Sequence, residues 1–118
     1  MPHPKADAVA NRADAAIDAT LERLKGYLAV PAISCDPEHA ADVRRLAEQV
    51  RDDLAAIGLD GAQVLDVEGA LPLVVAHWLK AGADKPTILI YGHLDLQPVK
   101  GESWDTDPHV ATVRGDRM

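Results

Sequence analysis

Apolar residues recur three or four apart from Ala6 to about Leu28, at Val9, Ala13, Ile17, Leu21, Leu24 and Leu28, which predicts an amphipathic helix that Pro31 ends. The next segment opens with Asp36, Pro37 and Glu38, an Asp cap, a proline at the first helical position and an early acid, all of which favour helix initiation. Val43, Leu46, Val50, Leu54 and Ile57 keep the helical spacing, and Gly58 stands where a left-handed cap closes a helix. A second helix is therefore predicted over 37–57. After Gly61 the texture becomes short and β-branched. AQVLDV (62–67) and PLVVAHWL (72–79) read as strands around a turn at Glu68-Gly69-Ala70. TILIY (87–91), after a further turn at AGADKP, is a continuous apolar run of the kind that forms a central strand covered on both faces. The loop 92–108 follows, and HVATVRG (109–115) is predicted as a short last strand. Two helices followed by a mixed sheet suggest a three-layer α/β domain.

Composition narrows the reading. The 118 residues allow one small domain or part of one. With no Phe, and rings only at Tyr27, Tyr91, Trp78 and Trp104, the core must be aliphatic. A net charge of −7, spread along the chain, argues against a nucleic-acid partner. The single Cys35 cannot close an intrachain disulfide, and no run approaches the roughly 20 apolar residues of a spanning helix. A soluble, cytoplasmic protein without a membrane partner is expected.

The chemistry concentrates in ILIYGHLDLQPV. An apolar run leads into Gly92 and then presents His93 and Asp95 where open α/β sheets place their ligands. One imidazole nitrogen can bind a metal while the carboxylate two positions on accepts the other N–H, fixing tautomer and ring orientation. Spacing alone leaves an ordinary hydrogen-bonded histidine as the commoner explanation. The wider order, with Gln97-Pro98-Val99, Trp104 and Asp107-Pro108 following, is more specific.

YGHLDLQPV followed by WDTDP resembles the metal-binding signature of the zinc metallopeptidase family of carnosine dipeptidase, aminoacylase and glutamate carboxypeptidase. VPAISCDPEH (30–39) is similar to that family's junction between its first two helices, and Gln97-Pro98-Val99 is most like the dipeptidase branch. The resemblance implies a three-layer peptidase fold, two zinc ions, His93 as a ligand of one of them, and Asp95 as the catalytic-site carboxylate that orients it. In the family a bridging aspartate, a glutamate base, further carboxylate ligands and a second histidine lie downstream. The expectation is thus that residues 1–118 form the N-terminal part of a catalytic domain without its lid or dimerisation domain. Such a piece supplies at most one zinc ligand and is inactive alone. The parent would be a homodimeric hydrolase of small peptides. An amidohydrolase of the same family, deacylating or desuccinylating an amino acid, and a non-catalytic α/β binding module are the rival readings. Two departures from the pattern touch turn geometry: His109 stands where an aromatic is usual, and Gly115-Asp116 reverses the common Asp-Gly order.

The remaining candidates have plainer explanations. His77 reads as a packed, hydrogen-bonded strand residue, and His3 and His39 as solvated. Asp105, Asp107 and His109 lack a recognised ligand spacing. Cys35 reads as a small buried or half-exposed thiol.

Overall fold

The computed structural model describes residues 4–118. They form two compact units: residues 30–103, and residues 4–29 together with 104–118.

In the second of these, α1 (Pro4–Ala15) and α2 (Ile17–Leu28) replace the single helix expected over 6–28. The interruption is one residue, Ala16, at φ −101° and ψ 4°. The hydrogen-bond ladder runs through it, since Ala16 N–H donates to Arg12 O at 3.1 Å and Thr20 N–H to Ala16 O at 3.0 Å. The hydroxyl of Thr20 donates to the same Ala16 carbonyl at 3.0 Å, and such back-bonding bends helices. The apolar stripe is present but uncovered, with Val9, Ile17, Leu21 and Leu24 all exposed. Residues 109–115 are not a strand. Arg114 and Arg117 instead exchange backbone hydrogen bonds of 2.8 and 3.2 Å across a tight turn in which Gly115 takes φ 63°. The glycine that departs from the family order is thus what the turn requires.

The unit of residues 30–103 is built on α3 (Ala40–Ala56), preceded by a 3₁₀ turn at Pro37–His39. The Asp36 carboxylate accepts from the Glu38 N–H at 3.0 Å, capping this start as its sequence predicts. The other end is a Schellman closure: Gly58, at φ 93°, donates to Ala55 O at 3.0 Å, and Leu59 donates to Leu54 O at 3.1 Å. Val43, Leu46 and Ala47 of α3, with Val30, Ala32 and Ile33 of the segment before it, are the buried apolar residues. The core is small and aliphatic.

β1 (Asp60–Leu65) and β2 (Leu73–His77) form an antiparallel pair against α3. The sheet of the described residues is therefore α/β in setting but antiparallel and two-stranded rather than mixed. Between Asp60↔His77 and Gln63↔Val75 the register slips by one residue. Gly61, at φ 61°, occupies this bulge, and a Cβ there would lie 2.6 Å from Cε1 of His77. His77 is exposed over this glycine rather than hydrogen-bonded within a core. Gly61→Ala is expected to cost about 1–3 kcal/mol, mostly from the left-handed backbone, because the ring can swing aside. Chemical denaturation of the two proteins measures it.

TILIY (87–91) is not a central strand. The segment pairs with no strand among the described residues, and Ile88, Leu89, Ile90 and Tyr91 are 81–91% exposed. An apolar run becomes a central strand only when neighbours on both edges take its backbone groups and layers cover both faces. Here neither open edge of the β1–β2 pair takes up residues 87–91, which remain coil without a covering layer.

Candidate functional site

Two segments distant in sequence meet beside this coil. Ile33 and Leu96 form an isolated parallel bridge, and the Leu96 N–H donates to Ala32 O at 2.9 Å. Because Ala32 and Ile33 are buried, the segment 32–34 is a fixed rail, and the bridge locks residues 95–96 against it.

This places three polar side chains in a row. The Ser34 hydroxyl donates to Oδ2 of Asp95 at 2.5 Å. Oδ1 of the same carboxylate lies 2.9 Å from Nδ1 of His93, the bond that their spacing predicts. Asp95 is 31% exposed in its side chain and His93 74%. The hydrogen bond from Ser34 is the largest influence on Asp95 and holds its pKa below the usual aspartate range; partial burial works the other way, and the bond to His93 adds to the lowering. Asp95 therefore stays an acceptor at neutral pH, and the shared proton sits on Nδ1. In the neutral ring this arrangement leaves the lone pair on Nε2, the form of imidazole that binds metals.

Ser34, His93 and Asp95 line one side of a cavity of about 650 Å³, whose other walls include Val43, Val50, Leu54 and Val74. Aliphatic walls with a few convergent polar groups are the usual make-up of a small-molecule site. Among the described residues no group of three or more His, Cys, Asp or Glu is assembled to hold a metal. What the described residues offer a metal is thus a single imidazole nitrogen, with its ring held by Asp95, where a catalytic zinc generally takes three protein ligands.

The other candidates disperse. His39 pairs with Asp42 at 2.9 Å in the first turn of α3, and Nδ1 of His109 is 3.4 Å from the Leu28 carbonyl, tying the loop to the end of α2. Asp105 pairs with Arg114 at 3.3 Å, and Cys35 is a free, exposed thiol rather than a buried one. His3 lies outside the described residues. Ser34 is the residue that spacing did not single out. Its only signal was its place in VPAIS, since the partner it meets is 61 positions away.

In sequence, the chain is similar to proteins named as metallodipeptidases and dipeptidases. It is 31% identical over 99 residues to the Cys-Gly metallodipeptidase of Candida albicans, covering 75% of this chain and 20% of that protein. It is 31% identical over 106 residues to the human Beta-Ala-His dipeptidase, covering 80% of this chain and 21% of that protein. The Saccharomyces cerevisiae Cys-Gly metallodipeptidase is 29% identical over 97 residues, covering 73% and 20%. The chain is thus related to the dipeptidase-like metallopeptidases, and spans about a fifth of the length of the curated relatives it matches. No family profile matches it, and no solved structure does so significantly. No helix among the described residues is long and apolar enough to cross a membrane.

Proposed function

We propose that this chain is the front part of the three-layer α/β catalytic domain of a zinc-dependent dipeptidase, a cytoplasmic homodimer in its complete form. In it His93 ligates one of two zinc ions and Asp95 orients that ligand. The observation that carries the reading is the 2.9 Å bond between His93 Nδ1 and Asp95, which leaves Nε2 as the donor atom. That the relatives are named as dipeptidases favours small peptides over acylated amino acids as substrate.

The zinc pair would supply an acidified water and polarise the scissile carbonyl. The chain's own residues have a narrower task. His93 offers one nitrogen, Asp95 keeps the proton on the other, and aliphatic side chains line the cavity beside them. A base, a bridging carboxylate and the remaining ligands would have to come from the rest of the domain, so the chain alone should not hydrolyse dipeptides.

The test has two parts. Titrating the chain with zinc should move the His93 ring resonances, and His93→Ala should remove that response. When the chain replaces the matching fifth of the Candida albicans relative, the hybrid should hydrolyse Cys-Gly in a zinc-dependent manner. His93→Ala should then lower turnover by more than about 100-fold, together with metal content. A His93 ring indifferent to zinc, or a hybrid whose turnover and metal content survive His93→Ala, would sink the proposal.

A further inference from the structure

We infer that Ser34 is a positioning residue for the metal-binding imidazole, acting through Asp95 to fix which nitrogen of His93 is presented to a divalent cation of the zinc type. The inference rests on the reading of His93 as a metal ligand and extends it to a residue on a different segment.

A carboxylate two positions from a histidine can rotate about both of its side-chain bonds, and only some rotamers set an oxygen against Nδ1. Ser34 removes that freedom. An ionised carboxylate only accepts, so the hydroxyl must donate to Oδ2, and the donor on the other side must be the Nδ1–H of His93. The polarity of the relay is therefore fixed from end to end: hydroxyl proton to Oδ2, imidazole proton to Oδ1, lone pair on Nε2. The rail beneath it is equally defined, because the Leu96 N–H bonds to Ala32 O and Ile33 pairs with Leu96 directly beside the contact. Ser34 is half-buried beside the fully buried Ala32, whereas the histidine ring is largely exposed. The order needed at the ring is thus imported from the core, two hydrogen bonds away. Removing such an outer partner of a metal ligand typically weakens metal binding by about 10–100-fold.

The experiment uses the 118-residue chain. Long-range proton–nitrogen correlation spectra, recorded above the usual histidine titration range, read the tautomer of His93 directly, and a zinc titration followed on the same ring gives the affinity. The native chain should carry its proton on Nδ1. Ser34→Ala should shift both nitrogens toward an average of the two tautomers and weaken zinc binding at His93 about 10-fold. Ser34→Thr, which keeps the hydroxyl, should restore both. Should the alanine variant lose its fold, Ser34→Cys, close in size but with a weak S–H donor, should reproduce the loss. A folded alanine or cysteine variant with the native tautomer and native zinc affinity overturns the inference. If instead zinc binding survives in His93→Ala, the metal-ligand reading falls, while the tautomer comparison still decides what Ser34 does.

Discussion

Leu46→Ala should lower the stability of the unit formed by residues 30–103 by about 2–5 kcal/mol. Leu46 is 2% exposed and lies on α3 beside Val43, also 2%, and Ala47, which is fully buried. Truncation removes three carbons from a core that, among the described residues, consists of six aliphatic ones and holds no aromatic side chain to shift into the gap. The hole therefore stays largely open, and lost transfer energy and lost packing add. Unfolding free energies run to roughly 0.05–0.15 kcal/mol per residue, so a change of this size is a large part of what a unit this short has to lose. Urea unfolding followed by far-ultraviolet circular dichroism should show the midpoint falling with little change in slope. Leu73→Ala, at a 56% exposed site on β2, is the control and should cost well under half as much. Equal effects at the two positions would mean that α3 is not held by the contacts described.

The second large effect concerns solubility. Ile88, Leu89, Ile90 and Tyr91 present four consecutive apolar side chains to solvent, in a stretch without charge or proline and rich in β-branched residues. Its backbone belongs to no strand, so amide and carbonyl groups are free to pair with a second copy. The native chain should self-associate as concentration rises. Ile88→Lys combined with Ile90→Glu should raise the concentration at which scattering grows by about 10-fold or more. Each exposed isoleucine offers about 1.5–3 kcal/mol of burial to an aggregate, and 1.4 kcal/mol is a factor of ten. Sedimentation velocity over a dilution series distinguishes the outcomes. A native chain that remains monomeric throughout, or a doubly charged variant that associates as readily, would contradict the expectation.

Local rules read the local structure well. The start of the 3₁₀ turn before α3 and the end of α3 were legible because Asp36, Pro37 and Gly58 act within a few bonds of themselves, and the turn at 68–70 between β1 and β2 was legible for the same reason. The bond between His93 and Asp95 spans two positions and needed no knowledge of the fold. What escaped depends on partners. The break at Ala16 carries neither glycine nor proline, and its trace is a hydroxyl four residues away. TILIY has the composition of a buried strand, but composition reports what a segment can tolerate, whereas pairing decides what it becomes. Ser34 could not be found by spacing at all, because the contact that makes it interesting exists only after the chain has turned back on itself.

The meeting of residues 32–34 with residues 95–96 has a consequence for the order of events during folding. The helix, the bulged hairpin and the turn between them all lie inside the long stretch of chain that this contact closes, so its entropic cost is borne at closure, after the inner pieces have shortened the effective loop. A partial opening that parts the serine from the aspartate would loosen the carboxylate beside the imidazole while helix and hairpin stay intact, so the ring signals of His93 should report such an opening before any loss of helical signal.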